Sequence, residues 1–218
     1  WNRPLWGRKV FKSKLMFALV QDDDFVRIVN SNKGIEINGN QYPKTIYTLW
    51  TQAEREAIGI FEVVLDTTNK KDEEYYINTD VSYSYSDGVV SGSWGTATAK
   101  PLDNVLWADG DEDMPSDAEV GEIKQYGLKP QHKQRVNDQA NGLLSKYDWY
   151  VIRNTEDNTK SIPSDVSTYR TNVRTKANEM CTQIDNASTV DELKALYQYT
   201  EQDDGTFTRP LAEFPEEL

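Results

Sequence analysis

Cysteine and histidine are nearly absent: the 218 residues hold one of each, Cys181 and His132. A single thiol excludes an intrachain disulfide framework and any cysteine-based zinc site. A single imidazole excludes a histidine-rich metal centre, and a Ser-His-Asp arrangement would have to use His132 itself. That residue lies in KPQHKQR, a polar helix opening where a solvated surface position is expected. Cys181 falls at helical core spacing and reads as a buried structural thiol. Long apolar runs are also missing. Nothing approaches the roughly 18 residues that a membrane-spanning helix needs, and the short run in FKSKLMFALVQDDD has no small-residue cleavage site, so a signal peptide is not expected. The chain lacks G-x-G-x-x-G, a P-loop, H-E-x-x-H and G-x-S-x-G. DGDEDMPSD places carboxylates as a calcium loop does, but Met114 stands at the turn glycine and Val120 at the terminal glutamate. No catalytic residue, cofactor or metal is therefore expected.

Acid is abundant. The net charge is −12, which argues against nucleic acid as a partner over most of the surface. Residues 1–14, WNRPLWGRKVFKSK, depart from this balance: Arg3, Arg8, Lys9, Lys12 and Lys14 stand there with no acid, and removing those five charges leaves −17 for the rest. Terminal basic runs of this kind serve as docking arms for an acidic subunit, contact nucleic acid, or have no role. Six Trp, twelve Tyr and six Phe supply much of the apolar area, and such rings bury large area at small entropic cost, in cores and at interfaces alike.

The period of the pattern changes along the chain. LMFALV and FVRIV flank Asp22-Asp23-Asp24 and predict a hairpin. Asn38-Gly39, between Ile37 and Tyr42, predicts another tight turn. Thr51 and Glu54 form a T-x-x-E capping box for a short helix that Gly59 stops, and Ile60–Leu65 reads as a strand. Val81, Tyr83 and Tyr85 alternate with serines, and Asp87-Gly88 turns the chain back through Val89, Val90 and Trp94. This one-sided aromatic face suits packing on a core or subunit, or a sugar platform. Residues 101–127 lose periodicity, gain acid and read as a linker.

Beyond them the period becomes helical. Val136, Ala140, Leu143, Leu144 and Tyr147 predict an amphipathic helix. DWYVIR reads as a short, extended apolar stretch. Pro163 opens a second helix carrying Val166, Tyr169, Val173, Ala177, Met180 and Ile184, a stripe fit for intrachain packing or for a seam between subunits. Thr189 and Glu192 cap a third. Arg170 and Arg174, one turn apart, would clamp a carboxylate or phosphate, or pair with Asp148 or Glu179.

Leu143, Leu144, Asp148, Trp149, Ile162, Pro163, Tyr169, Arg170 and Arg174, about 40 residues of the chain in all, resemble the C-terminal module of tailed-phage tail assembly chaperones and tail-fibre assembly proteins. Pro43, Trp50, Glu54, Arg55, Ala57, Ile58, Gly59 and Ile60 are similar to the opening of phage tail accessory proteins. The long basic extension before Met16 and the Tyr/Ser hairpin depart from that pattern. The resemblance implies a non-enzymatic virion or tail-associated protein, with an assembly chaperone as the alternative. It also implies other virion subunits as partners and a homo-oligomer within a symmetric assembly, away from membranes. The rival from another class is a carbohydrate-binding module at a host-contact surface.

The sequence thus reads as an α+β protein, a small N-terminal antiparallel β-sheet domain followed by a C-terminal three-helix unit. The expected divisions are a basic arm (1–14), a β-rich domain (15–100), an acidic linker (101–127), a helical domain (128–200) and an extended tail (201–218). Arg8, Lys9, Tyr83, Tyr85, Trp94, Trp149, Arg170, Arg174 and Phe214 are the interface candidates.

Overall fold

A computed structural model describes residues 15–218; the basic arm with Arg8 and Lys9 lies outside them. The chain is α+β and divides into two compact units. The first runs to Asp72 and resumes over Asn78–Thr98; the second comprises Glu73–Ile77 and Ala99–Leu218.

In the first unit, β1 (Phe17–Gln21), β2 (Asp24–Val29), β5 (Ile60–Asp66), β7 (Val81–Ser86) and β8 (Val89–Trp94) form one sheet in the order β2-β1-β5-β8-β7. Between them lie the hairpin β3 (Ile35–Ile37) and β4 (Asn40–Tyr42), and the short helices α1 (Ile46–Leu49) and α2 (Gln52–Glu56). The β1–β2, β3–β4 and β7–β8 turns all carry positive φ, at Asp22 and Asp23, Asn38 and Gly39, and Asp87 and Gly88. Two such residues in succession match the right-handed twist of the flanking strands. The sheet is mixed, not antiparallel throughout as expected, because β5 and β8 run parallel. The chain crosses over after β5 and returns as β7, and the tight Asp87-Gly88 turn then makes β8 the strand that lies beside β5.

One sheet face buries Phe17, Leu19, Val29 and Ile60 against Ile35, Ile37, Ile46 and Tyr47. The other buries Ala18, Val20 and Val90 beneath the partly exposed Phe25, Ile28, Phe61, Val63 and Tyr85. The Thr51 capping box forms, and the backbone and side-chain hydrogen bonds from Thr51 hold the Glu54 carboxyl below its usual pKa. Gly59 has φ +84, and a Cβ there would meet the Val20 carbonyl oxygen at 2.5 Å, so only glycine allows the helix to return into β5.

The second unit contains α3 (Leu128–Ser145), α4 (Asp148–Glu156), α5 (Ser164–Asn186) and α6 (Val190–Ala195). Three of these are the expected helices; α4 is additional and corrects the extended reading of DWYVIR. A short apolar run carries no period long enough to tell strand from helix. The α5 stripe is buried within the chain: Val166, Tyr169, Val173, Ala177, Met180 and Ile184 are each at most 6% exposed and share one cluster, Val166 excepted, with Val136 and Ala140 of α3. A seam between subunits is therefore not what this stripe serves.

Two short strands, β6 (Tyr76–Ile77) and β9 (Thr98–Ala99), occur where the chain passes between units. Residues 101–127, expected as a linker, belong to the second unit and hold the antiparallel ribbon β10 (Val105–Leu106) and β11 (Ile123–Gln125). They are tied to α3 by the Leu128 and Lys129 amides donating to the Pro101 and Leu102 carbonyls, both at 2.9 Å. The tail forms a second ribbon, β12 (Thr200–Glu201) with β13 (Phe207–Thr208). It then lays Leu211 into the helical core, where the Leu211 amide donates to the Leu196 carbonyl at 2.9 Å.

His132 is buried, at 1% exposure, correcting the solvated reading. Its ring lies between Tyr75 and Tyr197, at centroid distances of 5.7 and 4.9 Å. Cys181 is only half-buried and lies at the edge of the helical core rather than inside it.

Candidate functional site

The chemistry-bearing residues converge where α3 ends and α4 begins. α3 stops at Ser145 because Tyr147 adopts φ −114 and ψ 6, outside helical geometry, and this leaves the last-turn carbonyls of α3 without helical partners. Among these, the Leu144 carbonyl accepts the Tyr147 amide at 3.0 Å, and Arg170, in the second turn of α5, adds a side-chain donor to it: its guanidinium reaches the same oxygen at 2.8 Å. The same guanidinium pairs with Asp148 in the first turn of α4, also at 2.8 Å. One buried cation therefore closes the end of one helix and anchors the start of the next. A carboxylate in a first turn is also favoured by the helix dipole.

So held, α4 buries none of its nine residues. Tyr150, Val151, Arg153 and Asn154 lie half-covered, while Asp148, Trp149, Ile152, Thr155 and Glu156 face outward. Trp149 is 50% exposed and Ile152 58%. The Arg153 guanidinium lies over both the Trp149 and Tyr150 rings, at 4.8 and 5.3 Å, so the aromatic pair is braced from below by a cation–π contact. The outward face thus presents apolar residues flanked by the carboxylates of Asp148 and Glu156.

Arg174 does not join Arg170 in a clamp. It turns back to donate to the Arg170 carbonyl at 3.4 Å and borders a groove of about 520 Å³ between α3 and α5, lined also by Asn137, Asn141, Leu144 and Asn178. Glu179 pairs with Lys176 at 2.7 Å rather than with either arginine. Phe214 packs against the helical core.

On the sheet unit, Tyr83 stacks on Phe25 with centroids 5.3 Å apart, and Tyr85 meets the Phe61 ring edge-on at 5.1 Å. A Cβ on Gly92 would come within 2.8 Å of the Tyr83 ring, so the tyrosine lies over its cross-strand glycine. Trp94 lies beneath the Lys70 ammonium at 5.3 Å. These rings are half-buried, and Tyr83 and Tyr85 pack on Phe25 and Phe61 of the chain itself, whereas a sugar platform requires open ring faces.

Ile152 and Arg153 escaped the sequence reading. The signal was the four-residue step from Trp149 to Arg153, visible only once DWYVIR is taken as helix. Among the described residues no group of three or more His, Cys, Asp or Glu side chains could hold a metal ion, and no helix is long and apolar enough to cross a membrane.

The fold and this surface define an α+β chain with a braced, outward-facing aromatic helix. Comparison with protein-family models, curated proteins and solved structures finds no match.

Proposed function

We propose that this chain is a non-enzymatic structural component of a bacteriophage particle, associated with the tail, which works by binding other subunits. The observation that carries the binding role is α4. A nine-residue helix is too short to be stable by propensity alone, and this one buries nothing of its own while keeping Trp149 and Ile152 exposed. The buried Arg170 holds it in place. A rigid helix that exposes a tryptophan and an isoleucine has the composition of an interface centre.

The association with a tail is supported by the resemblance of residues 143–174, and of residues 43–60, to phage tail accessory proteins. The same resemblance supports a second reading, a transient tail-fibre assembly chaperone in the host cytoplasm. Quantitative peptide mass spectrometry of purified particles and infected lysate separates the two. Recovery at three, six or twelve copies per particle is the expected result; presence in the lysate with absence from particles overturns residence and leaves the chaperone. Replacing Trp149 and Ile152 by serine is expected to abolish incorporation without unfolding the chain.

A further inference from the structure

Three turns of the sheet unit meet around one cavity of about 360 Å³. The end of β1 and its turn contribute Gln21 and Asp22, the β3–β4 hairpin contributes Asn38, Asn40 and Tyr42, and the α2–β5 turn contributes Ile58. Hydrogen bonds fix these walls to one another. The Gln21 carboxamide donates to the Asn38 side-chain oxygen at 3.0 Å, which joins the two hairpins. The Val20 amide donates to the Gly59 carbonyl at 2.8 Å, which joins the first hairpin to the third turn. The cavity is thus formed before any ligand arrives, and its volume lies in the range of small-molecule sites, roughly 300–1,000 Å³.

The polar groups left over define the ligand. The Gln21–Asn38 bond leaves the Gln21 Oε1 acceptor and the Asn38 Nδ2 donors free. Among the described residues the side chains of Asp22 and Asn40 and the Tyr42 hydroxyl take part in no hydrogen bond or ion pair. Among the same residues no lysine or arginine lines the cavity, so an anion would find no cation there. An ammonium group would use the Asp22 carboxylate but leave the carboxamide N–H groups unpaired, because it only donates. A hydroxyl both donates and accepts, and adjacent hydroxyls match carboxamides set beside a carboxylate. Ile58, half-buried in the wall, adds apolar surface that suits ring C–H bonds.

We infer that this cavity is a binding site for a neutral sugar ring. Asp22 accepts from one ring hydroxyl, Asn38 donates to another, and Asn40 does both. Recognition here comes from hydrogen bonds on three walls and not from an aromatic platform, so the site is separate from the rings of β7 and β8. It depends neither on α4 nor on residence in a particle, and it stands or falls apart from both.

Heteronuclear NMR of the isotopically labelled full chain tests it, with the methyl glycosides of glucose, galactose and mannose and with N-acetylglucosamine as probes. At least one of these should shift the side-chain amide signals of Gln21, Asn38 and Asn40 in a saturable way. Asn40→Ala, checked for an unchanged circular dichroism spectrum, should weaken that binding about tenfold, the usual scale for losing a hydrogen-bonding group. Trp94→Ala should leave it unchanged. Saturation by none of the sugars, shifts confined to residues outside the cavity, full affinity in the Asn40→Ala variant, or a response to ethanolammonium chloride in place of the sugars would each overturn the inference.

Discussion

Two polar side chains, Arg170 and His132, are buried in the helical unit. Arg170 is 8% exposed and serves both the Leu144 carbonyl and the Asp148 carboxylate. Arg170→Met keeps the bulk but removes both interactions, leaving the Leu144 carbonyl to the Tyr147 amide alone and Asp148 without its cation. The expected loss is about 1–3 kcal/mol in urea unfolding. Arg170→Lys should recover only part of it, since an ammonium lacks the planar fork that serves two acceptors. Equal stability of the lysine variant and the parent would show that the fork is not used.

His132 is the second. Neither ring nitrogen has a hydrogen-bond partner. Burial, then Arg135, pushes its pKa below the ordinary 6.5, with Glu74 pulling weakly the other way. The aromatic walls that enclose it are Tyr75 and Tyr197, the latter itself pushed up to about 12 by burial and by Tyr75. Because the folded chain holds this proton less tightly than the unfolded chain, the neutral form favours folding. That stability is complete above 6.5 and is lost progressively as pH falls from 6.5 to the folded pKa. His132→Phe should flatten this part of the curve of unfolding midpoint against pH; an unchanged slope between pH 7 and 5 would assign the acid sensitivity to other groups.

At the scale of elements, α5 is the spine. Seven of its 23 residues are buried, and covering each of Val166, Val173, Met180 and Ile184 is worth about 1.5–3 kcal/mol. Ile184 is fully buried near the C-terminal end of the apolar stripe. Ile184→Ala should cost about 2–5 kcal/mol, measured as a lowered urea midpoint with unchanged m-value. The stripe was legible in the sequence because spacings of three and four over 19 residues fit no strand. The hairpins were legible for a related reason: Asn38-Gly39 and Asp87-Gly88 fix both the turn and the register of what flanks them. α4 was not legible, because its helical state depends on Arg170, 22 positions after Asp148, closing the turn before it. The β5–β8 pairing was equally hidden, since a parallel neighbour is set by the crossover and not by either strand's own pattern. His132 sits in a polar stretch, and what buries it comes from Tyr75 and Tyr197, both distant in sequence.

For the molecule as a whole, the division into units does not follow chain order. Glu73–Ile77 lies, in sequence, between strands of the sheet unit but belongs to the helical one. Tyr75 is 5% exposed and joins the same cluster as Val136, Tyr169 and Leu193. Next to it, the Tyr76 hydroxyl donates to Asp191 of α6 at 2.7 Å, which raises the pKa of that phenol. The segment is therefore a strap that completes the helical core from outside its own stretch of chain. Tyr75→Ala should open a cavity against His132 and the cluster around it, at a cost of about 3–5 kcal/mol by analogy with other buried rings. Hydrogen exchange locates the damage. Amides of α3 and α6 should exchange faster while those of β7 and β8, which follow the strap directly in sequence, keep their protection. Faster exchange confined to β7 and β8 would instead mean that residues 73–77 serve the sheet, and that the helical unit is complete without them.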